Sequence, residues 1–283
     1  MLNGIDYLSN IQFNSDFGKF LNSYQSQTSI NPMDFKKFLQ IMLSQKPDCL
    51  DIDNLMVEEQ CVRDFFILLS GYKQEYKDVF DTFKHKIIQH IKCPNCNLVS
   101  TKEIIQLYME ENVPDNNASL KTYLERLFNE SQIAEDYLCE CGSRNNCEKK
   151  MLFDSKTSSN FLIVILLRVN VSYFDINKQE QVHINTYGNE VDATQDIQIV
   201  DVNGSKIIFE PIGVIPHLGH VSGKVSSGHY ICDIRLKNFN WYRTNDDKKS
   251  IALNKNMVTR KGYVILYKRK YLKTKHVDNY DPV

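Results

Sequence analysis

Two cysteine pairs constrain this chain more than any other feature. Cys93-Pro94-Asn95-Cys96 forms one knuckle and Cys139-Glu140-Cys141 a second, with Cys147 close behind. Each knuckle can turn two thiolates toward one ion, and tetrahedral zinc takes four such ligands. The first spacing is the usual Cys-x-x-Cys, whereas the second is one residue short, so Cys147 stands as an alternative ligand to Cys139 or Cys141. Cysteine is also common in cores, but close pairs beside Gly, Pro and Asn do not read as core strands. The expectation is one structural zinc on Cys93, Cys96, Cys139 and Cys141, with the four sulfurs within about 4 Å of one another and no open position for catalysis. A fold built this way brings together two turns more than forty residues apart.

That reading needs a reducing compartment. The first residues alternate polar and apolar, without the basic start and apolar stretch of a signal peptide. The longest apolar run, residues 161–167, is far too short to cross a membrane. The expectation is therefore a soluble protein of the cytoplasm or nucleus with no membrane partner. Lys and Arg number 34 against 35 Asp and Glu, spread evenly apart from a basic stretch at 268–275. Nucleic-acid binding asks for a clustered basic face, and none is evident.

The texture changes along the chain. Helical spacing follows Asn31-Pro32 (Phe35, Phe38, Leu39, Met42, Leu43), recurs from about Val57 (Val62, Phe65, Phe66, Leu69), and again from Ser119 (Leu120, Tyr123, Leu124, Leu127, Phe128). Ser119 is the expected cap of that last helix. Beta-branched and aromatic runs dominate later, at 161–171, 206–215, 230–236 and 262–267. Helices first and strands afterwards indicate an α+β architecture.

A second constellation is Ser226-Ser227-Gly228-His229-Tyr230, followed by Trp241-Tyr242-Arg243-Thr244-Asn245-Asp246. A histidine before one strand, with an amide and a carboxylate on the next, suits a general base whose tautomer is fixed by a partner. Cys232, two residues into the strand, is expected to point into packed structure.

Taken in order, these segments resemble the ubiquitin-specific protease family over roughly residues 4–269. The family's histidine region is matched by Val214-Ile215-Pro216-His217-Leu218-Gly219, then Ser227-Gly228-His229-Tyr230, Trp241-Tyr242 and Asn245-Asp246. Its closing Ala-Tyr-x-Leu-x-Tyr strand is similar to Gly262-Tyr263-Val264-Ile265-Leu266-Tyr267. Its Gln-Gln-Asp-Ala-x-Glu-Phe box is similar to Glu59-Gln60-Cys61-Val62-Arg63-Asp64-Phe65, and Arg168 stands where the family's central strand ends in Lys-Arg-Phe. The resemblance implies a papain-like, hand-shaped domain over residues 1–270: a helical thumb to about 80, zinc-tipped fingers over about 85–155 and a β-rich palm over about 156–270. Residues 271–283 read as a flexible tail.

The family's opening box, Gly-Leu-x-Asn-Leu-Gly-Asn-Thr-Cys-Tyr-Met-Asn-Ser, is where this chain departs. Residues 4–15 read Gly-Ile-Asp-Tyr-Leu-Ser-Asn-Ile-Gln-Phe-Asn-Ser, one residue shorter. Anchoring on Gly4 puts Gln12 in the cysteine slot; anchoring on Asn14-Ser15 puts Ile11 there. The family's oxyanion asparagine falls at Tyr7. The resemblance thus implies His229 as retained base, Asn245 and Asp246 as its orienters, and Gln12 or Ile11 as a degenerate nucleophile slot. The expected function is a pseudo-enzyme that binds ubiquitin, a ubiquitin-like protein or a complex partner. The alternatives are an active cysteine-type deubiquitinase, with Cys61 as the nearest substitute nucleophile, and a scaffold subunit that binds no ubiquitin.

Overall fold

The computed structural model describes residues 81–114, 119–134, 137–144, 146–171, 184–186, 188–222, 224–236, 238–245 and 248–270. The helices expected after Asn31-Pro32 and from Val57, the box at 59–65 and the opening segment at 4–15 lie outside the described residues.

Two sheets carry the described fold. The smaller has four strands in the order β2-β1-β5-β4: β1 (His85–Lys92), β2 (Val99–Gln106), β4 (Gln132–Ile133) and β5 (Glu148–Phe153). All its pairings are antiparallel. Its far end holds the turn between β1 and β2 and the segment between β4 and β5, which are the two places where the cysteine knuckles sit.

The larger sheet takes in β3 (Met109–Asn112), β6 (Phe161–Leu167), β9 (Ile197–Val200), β10 (Lys206–Ser222), β11 (Lys224–Tyr230), β12 (Cys232–Arg235), β13 (Trp241–Asn245), β14 (Lys248–Leu253) and β15 (Gly262–Lys270). A separate two-stranded ribbon joins β7 (Val169–Val171) to β8 (Ile184–Thr186). The apolar run 161–167 becomes β6, flanked by β15 and β3 and buried on both faces, as a continuous Phe-Leu-Ile-Val-Ile-Leu-Leu sequence requires.

Strand β10 organises the sheet. It pairs in turn with β9, β15, β12 and β11 along its length. Proline cannot donate to a ladder and sits at edges or bulges; Pro211 and Pro216 lie in β10 at the two register shifts against β15. Gly262, which opens β15, has no room for a side chain: a Cβ there would meet Val214 Cγ1 at 2.7 Å.

Helix α1 (Leu120–Asn129) covers the junction of the two sheets. Leu120, Leu124, Leu127 and Phe128 fall on one face and are buried, each contributing about 1.5–3 kcal/mol of apolar burial. Ser119 occupies the N-cap position as expected, and its carbonyl accepts from Tyr123 N, but its hydroxyl makes no capping hydrogen bond. It is engaged instead through its backbone, in a parallel bridge to Asp192. Phe153 at the end of β5 joins the sheets. Its ring meets Phe128 edge-on at 6.2 Å and Phe209 of β10 edge-on at 5.6 Å. No helix among the described residues is long and apolar enough to cross a membrane.

His85 stacks on Phe153 at the same junction and is fully buried. Gln106 Nε2 donates to His85 Nε2 at 3.3 Å, so the neutral ring carries its proton on Nδ1. Burial pushes the imidazole pKa down to about 4, against an opposing interaction with the Phe83 backbone. The folded value lies below the ordinary 6.5, so the unfolded chain binds more protons in between. His85's contribution is fully present above about pH 6.5 and is lost as pH falls toward 4, amounting to about 3 kcal/mol. Thermal melts from pH 7 to 4 should show this loss, and His85→Leu should flatten the slope across that window.

Candidate functional site

The strands bring His229 and Asn245 together. His229 is the penultimate residue of β11, held opposite Leu218 of β10. The chain leaves β11 at Tyr230 and re-enters the sheet as β12, which pairs Cys232 with Thr244 of β13. Continuing that antiparallel register sets Asn245 beside the β11–β12 crossing. A register shift between Arg243 and Asn245 against β14 bends the strand end at this point, as irregularities beside functional groups do.

The resulting contact is His229 Nε2 to Asn245 Oδ1 at 2.6 Å. An amide oxygen only accepts, so Nε2 carries the proton and the ring's lone pair is at Nδ1. Such a ring can accept a proton at Nδ1, while the amide fixes its orientation. Around it, Tyr230 packs on His217 at 4.7 Å and on Tyr263 at 6.4 Å. Asp246, the other proposed orienter, lies outside the described residues, as do Gln12, Ile11 and Cys61. Cys232 is buried in the sheet, and burial pushes its thiol pKa up, the reverse of what a nucleophilic thiol needs.

Two polar groups fix the strands that carry this pair. Asp233 is fully buried, and Arg243 grips it from the adjacent strand through Nε to Oδ1 at 2.7 Å and Nη2 to Oδ2 at 2.8 Å. Thr259 N also donates to Asp233 Oδ2, and Arg243 Nη2 reaches Met257 O, so the turn at Lys255–Met257 is tied to β12 and β13. Sequence reading passed over this pair. Its signal was an aspartate inside an otherwise apolar strand, Ile231-Cys232-Asp233-Ile234, with an arginine on the next strand. Removing one partner of a buried ion pair leaves the other uncompensated. Arg243→Met is expected to cost about 3–5 kcal/mol in chemical denaturation, whereas Asp233→Leu combined with Arg243→Met should recover much of the loss.

Arg168 ends the β6 region, where sequence reading set it. Its guanidinium donates to three backbone carbonyls: Gly262 at 2.7 Å, Asn189 at 2.8 Å and Arg260 at 3.3 Å. It thereby joins the approach to β9 with the start of β15, which carries Tyr263.

The cysteines form the other site. Cys93, Cys96, Cys139 and Cys141 place their sulfurs all within 4.8 Å of one another. The pairs Cys93–Cys141 and Cys96–Cys139 are each 3.6 Å apart. The convergence is looser than the expected limit of about 4 Å: a zinc tetrahedron has sulfur–sulfur edges of about 3.8 Å, and the widest separation exceeds this by about 1 Å, within reach of small side-chain rotations.

The two knuckles reach similar ends by different turns. Asn97 N donates to Cys93 O at 3.0 Å, a five-residue turn that puts Cys96 at its fourth position. Gly142 N donates to Cys139 O at 2.8 Å, a four-residue turn that puts Cys141 at its third. In each, the residue after the second cysteine is left-handed, Asn97 at φ 57° and Gly142 at φ 85°, which asparagine and glycine tolerate. This is why the shorter second spacing still converges.

The electrostatics suit a cation. Hydrogen bonds from the Cys96 and Asn95 backbone pull the Cys93 thiol down to about 6. Cys139 moves to about 12: the Cys141 backbone opposes the shift, while burial and the neighbouring thiols drive it. Four thiolates so close repel one another, and a divalent cation relieves that repulsion. Cys147 is fully buried behind the cluster, packed with Cys93 and Cys139, and is not one of the four converging ligands.

The sequence pattern of the Ubiquitin carboxyl-terminal hydrolase family matches residues 6–267. Human ubiquitin carboxyl-terminal hydrolase 42 is 27% identical over 214 residues, covering 72% of this chain and 15% of that protein. Among solved structures, a Ubp8-Sgf11-Sgf73-Sus1 SAGA DUB module aligns with TM-score 0.63 at 16% identity, over 95% of this chain and 61% of its own. A SAGA DUB module bound to monoubiquitin aligns with TM-score 0.58 at 20% identity, over 76% of this chain and 49% of its own. The chain thus spans about a seventh of the curated relative and about half of that ubiquitin-bound structure. The structural likenesses carry the papain-like fold; the residues expected to form the thumb lie outside the described set. On the match over residues 6–267, this chain belongs to the ubiquitin carboxyl-terminal hydrolase family, as a domain of the ubiquitin-specific protease type.

Proposed function

We propose that this domain is a pseudo-enzyme that binds ubiquitin, a ubiquitin-like protein or a complex partner without cleaving it. The observation that carries the reading is the opening box at residues 4–15, where the slot for the attacking cysteine holds Gln12 or Ile11. Among the described residues no cysteine replaces it: four converge at the fingertip, and Cys147 and Cys232 are buried. One of the similar solved structures is a complex with monoubiquitin, which supports ubiquitin as the first ligand to test. The fingertip cysteines Cys93, Cys96, Cys139 and Cys141 would hold a zinc ion, whose part is to cross-link the two knuckles.

The His229–Asn245 contact at 2.6 Å favours the second reading, an active deubiquitinase in which His229 is the base and Asn245 and Asp246 orient it. That reading needs a nucleophile from outside the described residues, such as Cys61. Titration of fluorescently labelled ubiquitin separates binding from scaffolding: saturation below about 100 µM is expected, and a flat titration would favour a scaffold subunit.

A further inference from the structure

The fingertip sulfurs are not equivalent. Cys96 and Cys141 are exposed, whereas Cys93 and Cys139 are buried. Each exposed sulfur has a buried one 3.6 Å away on the opposite knuckle: Cys139 for Cys96 and Cys93 for Cys141. This is the arrangement of an accessible sulfur with a sheltered resolving sulfur, present twice in one cluster.

We propose that the fingertip is a peroxide-sensitive modification site, in which oxidation links Cys96 to Cys139 and Cys93 to Cys141 across the two knuckles and expels the metal. The proposal rests on the zinc reading above. In the first step, the Cys96 thiolate attacks a peroxide oxygen. The O–O bond breaks, Cys96 becomes a sulfenic acid and hydroxide leaves. The Cys139 thiolate then attacks the Cys96 sulfur; the S–S bond forms, the S–O bond breaks and a second hydroxide leaves. Two sulfurs have given two electrons to one peroxide, and protons from solvent turn the hydroxides into water. Cys141 and Cys93 repeat the sequence with a second peroxide. A disulfide sulfur is a poor zinc ligand, so the first link removes two of four ligands and the ion departs.

The pairing crosses between knuckles because the short contacts do. The β1–β2 turn and the β4–β5 segment therefore stay joined after the metal has left. Cys147 is fully buried behind Cys93 and Cys139, which shelters it from peroxide as the first sulfur attacked.

The test uses the full chain as purified from reducing buffer. Zinc is quantified first, then hydrogen peroxide is titrated against a chromogenic zinc chelator, and non-reduced peptides are mapped by mass spectrometry. The expected result is zinc release that follows the first link, at about one equivalent of peroxide per chain, with both links complete at about two, Cys96–Cys139 and Cys93–Cys141 peptides, and recovery of zinc binding after dithiothreitol. A Cys147→Ser variant should give the same release curve and the same map. Links within a knuckle, links to Cys147, or sulfinic and sulfonic acids without disulfides would overturn the proposal. Protein that holds no zinc but forms the two cross-knuckle links would defeat the zinc reading alone. Zinc-loaded protein that loses its metal without those links would defeat the modification alone.

Discussion

A fluorogenic ubiquitin substrate is expected to decay in the presence of this protein no faster than background, and equally with a His229→Ala variant. Isopeptide cleavage on this fold needs an attacking atom, a base to activate it and donors for the oxyanion. The proposed base, His229, is held through Nε2 by Asn245. Attack is another matter, because neither the Gln12 amide nor the Ile11 side chain is a nucleophile. Removing the nucleophile from such a unit typically costs about a million-fold in turnover. Tyr7 in place of the family's oxyanion asparagine would deepen the loss. Turnover above background that vanishes in His229→Ala would reveal another nucleophile, and Cys61→Ser would be the next variant. Restoring cysteine is a stricter check. Activity gained by Gln12→Cys and not by Ile11→Cys would support the Gly4-anchored alignment; silence from both would mean that the oxyanion site is also dismantled.

The second large effect is on the fingers. If the fingertip cysteines hold zinc as proposed, stripping it with a strong chelator, or replacing Cys139 with serine, should melt the distal half of the four-stranded sheet and leave the large sheet folded. Structural zinc supplies about 10–16 kcal/mol in isolated zinc-finger peptides, and little else holds the tip. Its buried cluster is Cys93, Ala134, Cys139 and Cys147, with Ile91 and Tyr137 packed against it. The palm core, by contrast, draws on α1, β6, β10 and β15 and includes none of these residues. Hydrogen exchange should show protection lost from β4 and the outer halves of β1, β2 and β5, with β6 and β15 unchanged. Zinc stoichiometry of one in the parent and in Cys147→Ser, with loss in Cys141→Ser, is expected; the opposite pattern would make Cys147 the fourth ligand.

Local pattern carried as far as local physics does. The run 161–167 could be read as a buried strand because apolar residues on both faces leave few other options, and the helix from Ser119 because Leu120, Leu124, Leu127 and Phe128 share one face. The cysteine convergence was legible from spacing, and the two histidine-region segments from order and residue type. That the Ser119 hydroxyl makes no capping bond was not, since the residue's backbone is engaged in a bridge to Asp192, far along the chain. Nor was the Asp233–Arg243 lock: charges inside a strand read as solvated until the turn at 255–257 is seen to close over them. The full length of β10 was hidden by Pro216, just past the run read at 206–215, because a proline argues against a strand unless a bulge accommodates it.

The placement of β15 bears on how the domain is made. It lies between β10 and β6, with Val264 opposite Ile165 and Ile265 opposite Val214. Strand β6 therefore waits about a hundred residues of synthesis for its antiparallel neighbour, a long-range closure of the slow kind. Until residues past 262 have left the ribosome, Phe-Leu-Ile-Val-Ile-Leu-Leu has an open edge and the composition of an aggregation-prone segment. The nascent palm is thus a natural client for chaperones that shield apolar strands. A stop codon just upstream of Gly262 would leave β10 and β6 without the strand that joins them.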